Sequence, residues 1–490
     1  MTYKTFTQKY LAYVLLGISL LIGMYYALPL RFVVTDEMYF VGGVLKSLEK
    51  FSLLPQETDV PYGTLTYYLN YLLISIFLVI LMPIFKFKIA ALKTRLIQKP
   101  ELISWVPRFA SFLLSFFYLF FASKLLAKEV PERKSRIFLL IILFTNMIFS
   151  AILHTGKMWV LSTLLVFISF FYLYEAVCGE QKKYRDKNIL FSVLAAFLSF
   201  ANFPMNAFAL INIPIIFFIF KKDSGLLKKT IFYITVGFIL FVGITLLNIT
   251  GIKSQISGIY NQYLFSQEAL VKNMTIAQSI GIHLLKTVLL YPLFLIILFI
   301  AAFSGIKNKK LFYLSLIYLI VYLLTISVTA RWASSVDIYL RYLFPIGLFL
   351  LALIASLNLK FIKIYWALAG VSIFYFLLTL YYLSIPTTYN LAYNWILSNL
   401  NQEGTAVVVN VQEIDLPKNK ISYLYTKDEQ CGVLCNNTKE QNLNSNLDFL
   451  VIDGKSKSQE VPINLDAYYV EWRKLPANSR KRLLKVFENG

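Results

Sequence analysis

Two adjacent carboxylates, Asp36 and Glu37, follow the first apolar run in the segment Arg31-Phe-Val-Val-Thr-Asp-Glu-Met-Tyr39. An ionisable pair at a membrane edge is a functional-site hypothesis by default. Beside a lipid-borne substrate, one carboxylate can act as general base on an acceptor hydroxyl. Cations stand in other short segments: Arg108, the turn His154-Thr-Gly-Lys157, and Arg331-Trp-Ala-Ser-Ser-Val-Asp-Ile-Tyr-Leu-Arg341-Tyr342. Arg and Lys suit phosphate oxygens, so His154, Lys157, Arg331 and Arg341 are candidate phosphate ligands. Tyr39, Arg108, Tyr342 and Asn202, in the turn Asn202-Phe-Pro204-Met-Asn206, are candidate substrate contacts. Acids that take a proton and cations that neutralise a departing phosphate are the two halves of group transfer from a lipid phosphate. Plainer readings stand beside these. An Asp-Glu pair suits a solvated loop, Arg108 an interfacial arginine, Asn202 a simple turn, and Asp337 an i, i+4 partner of Arg341.

The elements that must hold these residues are membrane helices. Of 490 residues 58% are hydrophobic and only 15% charged, with 42 Phe and 33 Tyr. An ordinary soluble domain is about 25% charged. Twelve apolar runs are readable: 10–30, 66–85, 106–127, 136–153, 158–177, 189–203, 207–220, 230–249, 284–304, 311–329, 342–358 and 364–384. Many are long enough to cross a hydrocarbon core of about 30 Å as a helix. This composition excludes a soluble enzyme, a disulfide scaffold and a disordered chain. There is no Gly-rich phosphate loop, metal-ligand spacing or nucleophile elbow. The first run is too long for a cleavable signal and lacks a small-residue cleavage site.

The net charge of +21 sits in the loops, not in the tail. From Pro386 onward there are 12 basic and 12 acidic residues. The excess is therefore a topology signal and not a nucleic-acid footprint. If all twelve runs crossed from a cytoplasmic N-terminus, the loops 128–136, 182–187, 221–229, 307–310 and 360–363, with 17 basic residues, would lie outside. If 66–85 enters the outer leaflet without crossing, all 17 move inside. Lys86, Lys88, Lys93, Arg95 and Lys99 then remain outside, on a basic amphipathic stretch at the membrane surface. Eleven spans are thus expected, with the N-terminus cytoplasmic and a long first external loop at about 31–105.

The expected fold is an all-α polytopic membrane protein: a transmembrane domain at 1–385 and a small extracytoplasmic α/β domain at 386–490. In the tail, Tyr393–Leu400 and Arg473–Lys485 read as helices, Thr405–Asn410 and Leu447–Asp453 as strands. Segment 250–283 reads as interfacial helices, with His283 at the membrane edge. Cys178 reads as a packed thiol, and Cys431 and Cys435 as a possible local disulfide pair.

The chain resembles GT-C class glycosyltransferases, close to glycosyltransferase family 39, which includes protein O-mannosyltransferases and lipid A aminoarabinose transferases. The resemblance spans about residues 8–385. It rests on Thr-Asp36-Glu37-Met-Tyr39 after the first helix, Pro61-Tyr62-Gly63, Arg108 at a helix start and Arg341-Tyr342-Leu-Phe-Pro345. It implies Asp36 as catalytic base with Glu37 supporting, and a polyprenyl-phosphate sugar as donor. The acceptor would be a lipid, glycan or protein hydroxyl, in a plasma membrane, with membrane lipids as further partners. Many members carry a further Asp in the second external loop. Here His154-Thr-Gly-Lys157 holds no acid, so a divalent metal is not supported by a second Asp, and a metal-independent enzyme or one with a remodelled phosphate site is expected. The rivals are a lipid-linked oligosaccharide flippase or other carrier, and an O-antigen-type polymerase or ligase.

Overall fold

A computed structural model describes residues 13–28, 35–55, 63–99, 101–179, 182–249, 275–329, 341–360 and 362–387. It also describes 251 and 253, helical residues at 390–391, 393–394 and 398, and three strands in the tail. The apolar runs form helices because every backbone polar group can then be satisfied within its own segment. In chain order they are α1 (13–21), α2 (Thr35–Glu49), α3 (Thr64–Leu81), α4 (Ile89–Gln98), α5 (Glu101–Ser104) and α6 (Val106–Glu129). Next come α7 (Arg133–Thr145), α8 (Met147–Leu153), α9 (Trp159–Cys178), α10 (Arg185–Asn202), α11 (Asn212–Ile219) and α12 (Ser224–Leu246). The last are α13 (Ile276–Leu290), α14 (Pro292–Ala302), α15 (Lys309–Thr329), α16 (Ile346–Ala355) and α17 (Ile364–Ser384).

Among the described residues six helices are long and apolar enough to cross a membrane, or eight if each of two bent pairs counts as one span. The chain is thus a multi-pass helical membrane protein. The runs at 136–153 and 284–304 are not single straight helices: α7 and α8 meet at 64°, α13 and α14 at 89°. Asn146 causes the first break. Its Oδ1 accepts from Ile148 N and Phe149 N, so it caps a new helix inside an apolar run. Pro292 opens α14 at the second break, lacking the N–H that would continue α13. Run 207–220 is a 3₁₀ stretch, 204–211, followed by the short α11.

The helices belong to two compact units. The first comprises Met1–Met24, Tyr39–Pro83 and Trp105–Leu383. At its centre lies α9, 67% of whose span window is buried, whereas α12 shows 11% and turns Phe232, Phe238 and Ile239 outward. Polar pairs tie the interior where apolar packing alone distinguishes helix from lipid poorly. Ser169 Oγ donates to Ser192 O at 2.7 Å, Ser192 Oγ donates back to Ser169 O at 2.9 Å, and Asn212 Nδ2 donates to both hydroxyls. Tyr318 donates its hydroxyl to Asn212 Oδ1.

This unit has two chemically different ends, because α6 and α9 each place their first and last residues roughly 30 Å apart. At one end, Lys128 pairs with Glu175 at 2.6 Å, Lys307 donates to Glu129 O at 2.6 Å, and Asn308 to Glu129 Oε1 at 3.0 Å. Tyr174 also donates to Glu129. The amides of Lys307 and Asn308 reach Ser356 O, and Lys229 pairs with Asp186 at the start of α10. The five basic loops identified above therefore gather at this end. Arg108 opens α6 and Asn202 closes α10 at the opposite end, and His154 lies there in the turn before α9.

The second unit comprises Tyr25–Met38, Ile84–Ser104 and Ser384–Gly490. Its sheet has the order β2-β1-β3, with β1 Ala406–Asn410, β2 Ser422–Tyr425 and β3 Phe449–Ile452. All pairings are parallel, with Val408 in register with Leu424 on one side and Leu450 on the other. The helix expected at Arg473–Lys485, and Cys431 and Cys435, lie outside the described residues.

Candidate functional site

Asp36 and Glu37 stand in the first turn of α2, not in a loop. Acids there complement the partial positive charge of a helix N-terminus. Glu37 is 3% exposed, while Tyr39 is 38% exposed. Both acids belong to the second unit. The chain leading to them is held within that unit by Asn390, whose Nδ2 donates to Ala27 O and Leu28 O at 3.0 and 3.1 Å. Asn390 is itself fixed by Thr387, which donates to Asn390 Oδ1 through N and Oγ1 and accepts from Asn390 N.

In the helical unit, four other candidates meet at the end opposite the basic loops. Arg108, at the start of α6, is 4% exposed and donates from Nη1 to Met24 O at 3.0 Å. It is a buried arginine and not an interfacial one reaching for water. His154 is 6% exposed, and its ring nitrogens face Ser150 O at 2.7 Å and Ser19 O at 2.9 Å. Burial lowers its pKa; the two carbonyls oppose that shift and the Arg108 charge adds to it. Arg108 and His154 thus grip the carbonyl end of α1 and the turn after it, where a helix dipole is negative. Gly23 lies in that turn at φ +85°, and a Cβ there would meet Leu383 Cβ at 2.8 Å. Both His154 ring nitrogens thus face backbone carbonyls.

Asn202 lies in the interior of the same unit. It is fully buried and joins three helices. Its Oδ1 accepts from Thr66 N and Thr66 Oγ1 at 3.0 and 3.3 Å, and its Nδ2 donates to Ser162 Oγ at 2.6 Å. Its carbonyl accepts from Gly63 N at 3.1 Å. Replacing Asn202 with Ala leaves Thr66 N and Ser162 Oγ buried without this partner, at a cost of about 1–3 kcal/mol. The expected outcome is a lower unfolding temperature in lipid nanodiscs. An unchanged midpoint would remove Asn202 from the interior framework.

Tyr342 is buried and meets Trp159 edge-on, ring centroids 4.8 Å apart. The Arg341 guanidinium lies 5.7 Å over the Tyr342 ring. Lys157 and Arg341, each partly exposed, flank the Trp159–Tyr342 contact in sequence and share this end. Arg331 and Asp337 lie outside the described residues. Among the described residues no group of three or more His, Cys, Asp or Glu could hold a metal ion. Comparison with protein-family models and with curated proteins finds no match to the chain. The backbone acceptors Ser19 O and Met24 O were not visible to sequence reasoning, since a carbonyl carries no residue identity. His283, expected at the membrane edge, is buried in α13, with Ser279 and Ser327 hydroxyls 3.4 and 3.3 Å from Nδ1.

Proposed function

We propose that the chain is a GT-C-like integral-membrane glycosyltransferase. It would move a sugar from a polyprenyl-phosphate donor to an acceptor hydroxyl on the extracytoplasmic face. The observation that carries this reading is the gathering of Arg108, the 154–157 turn, Arg341 and Tyr342 at one end of the helical unit. The motif order from Thr-Asp36-Glu37 to Arg341-Tyr342 supports it as well. In this reading Asp36 takes the acceptor proton, and Lys157, Arg331 and Arg341 neutralise the departing phosphate. Arg108 and His154 hold the first helix and the turn after it, at Ser19 and Met24. Direct displacement inverts the anomeric centre. The test is purified protein in nanodiscs, given a panel of polyprenyl-phosphate hexoses and pentoses with lipid, glycan and peptide acceptors. Acceptor-dependent release of polyprenyl phosphate is expected. A panel left wholly intact by folded protein overturns the reading.

The proposed topology has eleven spans, with α3 dipping into the outer leaflet and the tail, an α/β domain, outside. Gathering of the five basic loops at one end supports it under the positive-inside rule. Single cysteines at the exposed positions Lys50, Thr94 and Lys228, in a chain without its three native cysteines, read this directly. Lys50→Cys and Thr94→Cys should react with an impermeant thiol reagent from outside, and Lys228→Cys should not. Labelling that separates Lys50 from Thr94 means α3 crosses.

One observation favours a second reading. Discontinuous helices mark the binding sites of many transporters. Here the two breaks are joined, Asn146 Nδ2 donating to Leu290 O at 2.9 Å. A carrier of lipid-linked sugar would move a fluorescent donor between leaflets of proteoliposomes without cleaving it.

A further inference from the structure

The helical unit contains a cleft of about 530 Å³ at its basic end, lined by Arg185, Phe220, Lys221, Lys222, Asp223 and Ser224 among others. We propose that this cleft binds the phosphate of an anionic phospholipid. It is remote from Arg108 and His154 and does not depend on the transferase reading.

The charge argument comes first. Three cations line the cleft against one acid, Asp223. That acid is already engaged: its Oδ1 accepts Leu226 N at 3.0 Å as the N-cap of α12. The neighbouring acid Asp186 is matched too, by Lys229 Nζ at 2.8 Å and Tyr233 Oη at 2.6 Å. Partial burial raises the Asp186 pKa, and these two partners more than reverse that, so it titrates below the ordinary carboxylate value. Asp186 is matched by Lys229, and Asp223 keeps its charge at the N-cap, so the cleft lining carries three cations against one carboxylate. Arg185 is positioned by Phe220, whose ring lies 5.2 Å from Cζ. Its Nε is buried and has no hydrogen-bond partner among the described residues. A guanidinium fork also matches phosphate oxygens in pairs. The amides that open α12 face the same region with the positive end of a helix dipole.

Two observations point to a lipid and not to a free phosphate. The residues beside the cleft are exposed and apolar, Phe218 at 76% and Ile219 at 42%, and Lys221 Nζ lies 5.6 Å over the Phe218 ring. From the cleft α12 runs through the apolar zone with its window only 11% buried, presenting Ile231, Phe232, Phe238 and Ile239. An acyl chain leaving a phosphate held here would lie along that face. Basic pockets between membrane helices bind anionic headgroups by this combination of charge and apolar wall.

The test uses full-length protein in phosphatidylcholine nanodiscs with and without phosphatidylglycerol. Phosphatidylglycerol should raise the unfolding temperature and remain bound after detergent extraction. Arg185→Gln/Lys221→Gln/Lys222→Gln should lower its retention at least about tenfold, the scale expected for losing charge-assisted hydrogen bonds. Lys88→Gln/Lys93→Gln/Lys99→Gln removes the same charge from the α4 region and should leave retention unchanged. If the cleft triple variant does not fold, the exposed pair Lys221→Gln/Lys222→Gln is read in the same assay, with a smaller loss expected. Equal loss in the α4 control, or no loss in either cleft variant, overturns the site. Equal stabilisation by inorganic phosphate in phosphatidylcholine nanodiscs also overturns it as a lipid site and assigns it to the free anion.

Discussion

Asp36→Asn should reduce sugar transfer by about 10²- to 10⁴-fold, the range supplied by a positioned general base. Asn keeps the size of the side chain and removes its charge and its capacity to take a proton. Asp36 stands in the first turn of α2, where either residue is acceptable near a helix start. The unfolding temperature should therefore shift by no more than a small helix-dipole effect. Donor binding should also survive, because in this mechanism phosphate is held by Lys157, Arg331 and Arg341. Glu37→Gln separates the two acids. Glu37 is buried, 3% exposed, so its substitution should register in stability as well as in rate. Rate loss confined to Asp36 fits a base with a structural neighbour. Near-normal transfer by Asp36→Asn would end the assignment and bring the carrier reading forward.

The helices were legible because long apolar runs admit few other solutions in a membrane. The basic loops were legible for a related reason: charge cannot enter the hydrocarbon cheaply, so its distribution marks the ends. The breaks at Asn146 and Pro292 were less so. Both residues lie inside unbroken apolar runs, and hydropathy does not register a cap or a missing N–H. Helix α2 was hidden by Gly42 and Gly43 and by a polar start that resembles a loop. Strand β2, Ser-Tyr-Leu-Tyr, is too short to show periodicity. At the candidate site the residue types were legible and their engagements were not. Arg108, His154 and Asn202 were marked as chemically able, and each is occupied by the fold itself. What occupies them is mostly backbone, at Met24, Ser19 and Thr66, which no side-chain pattern encodes.

Gly156→Ala should destabilise the protein by about 1–3 kcal/mol or more, the cost of forcing an extra methyl into a packed site. A Cβ at this position would fall 2.2 Å from Pro107 Cβ, 2.7 Å from the Pro107 carbonyl carbon and 3.0 Å from Arg108 N. None of these atoms can step aside by a rotamer change, since two are backbone and the third belongs to a proline ring at the start of α6. The turn 154–157 must therefore move away from Arg108. That movement pulls His154 from Ser19 O, disturbs the Arg108 grip on Met24 O and displaces Lys157 in the same turn, so in the proposed reading transfer should fall beyond what the loss of folded protein explains. Gly243→Ala is the matched control. It lies within α12 with nothing within 4 Å of its would-be Cβ, and Ala is the better helix former there by about 0.5–1 kcal/mol. Its unfolding temperature should stay level or rise while that of Gly156→Ala falls. Equal midpoints for the two variants would mean that the 154–157 turn does not bear on Arg108. The first helix would then be held by contacts such as that of Leu383 at Gly23 and not by Arg108 or His154.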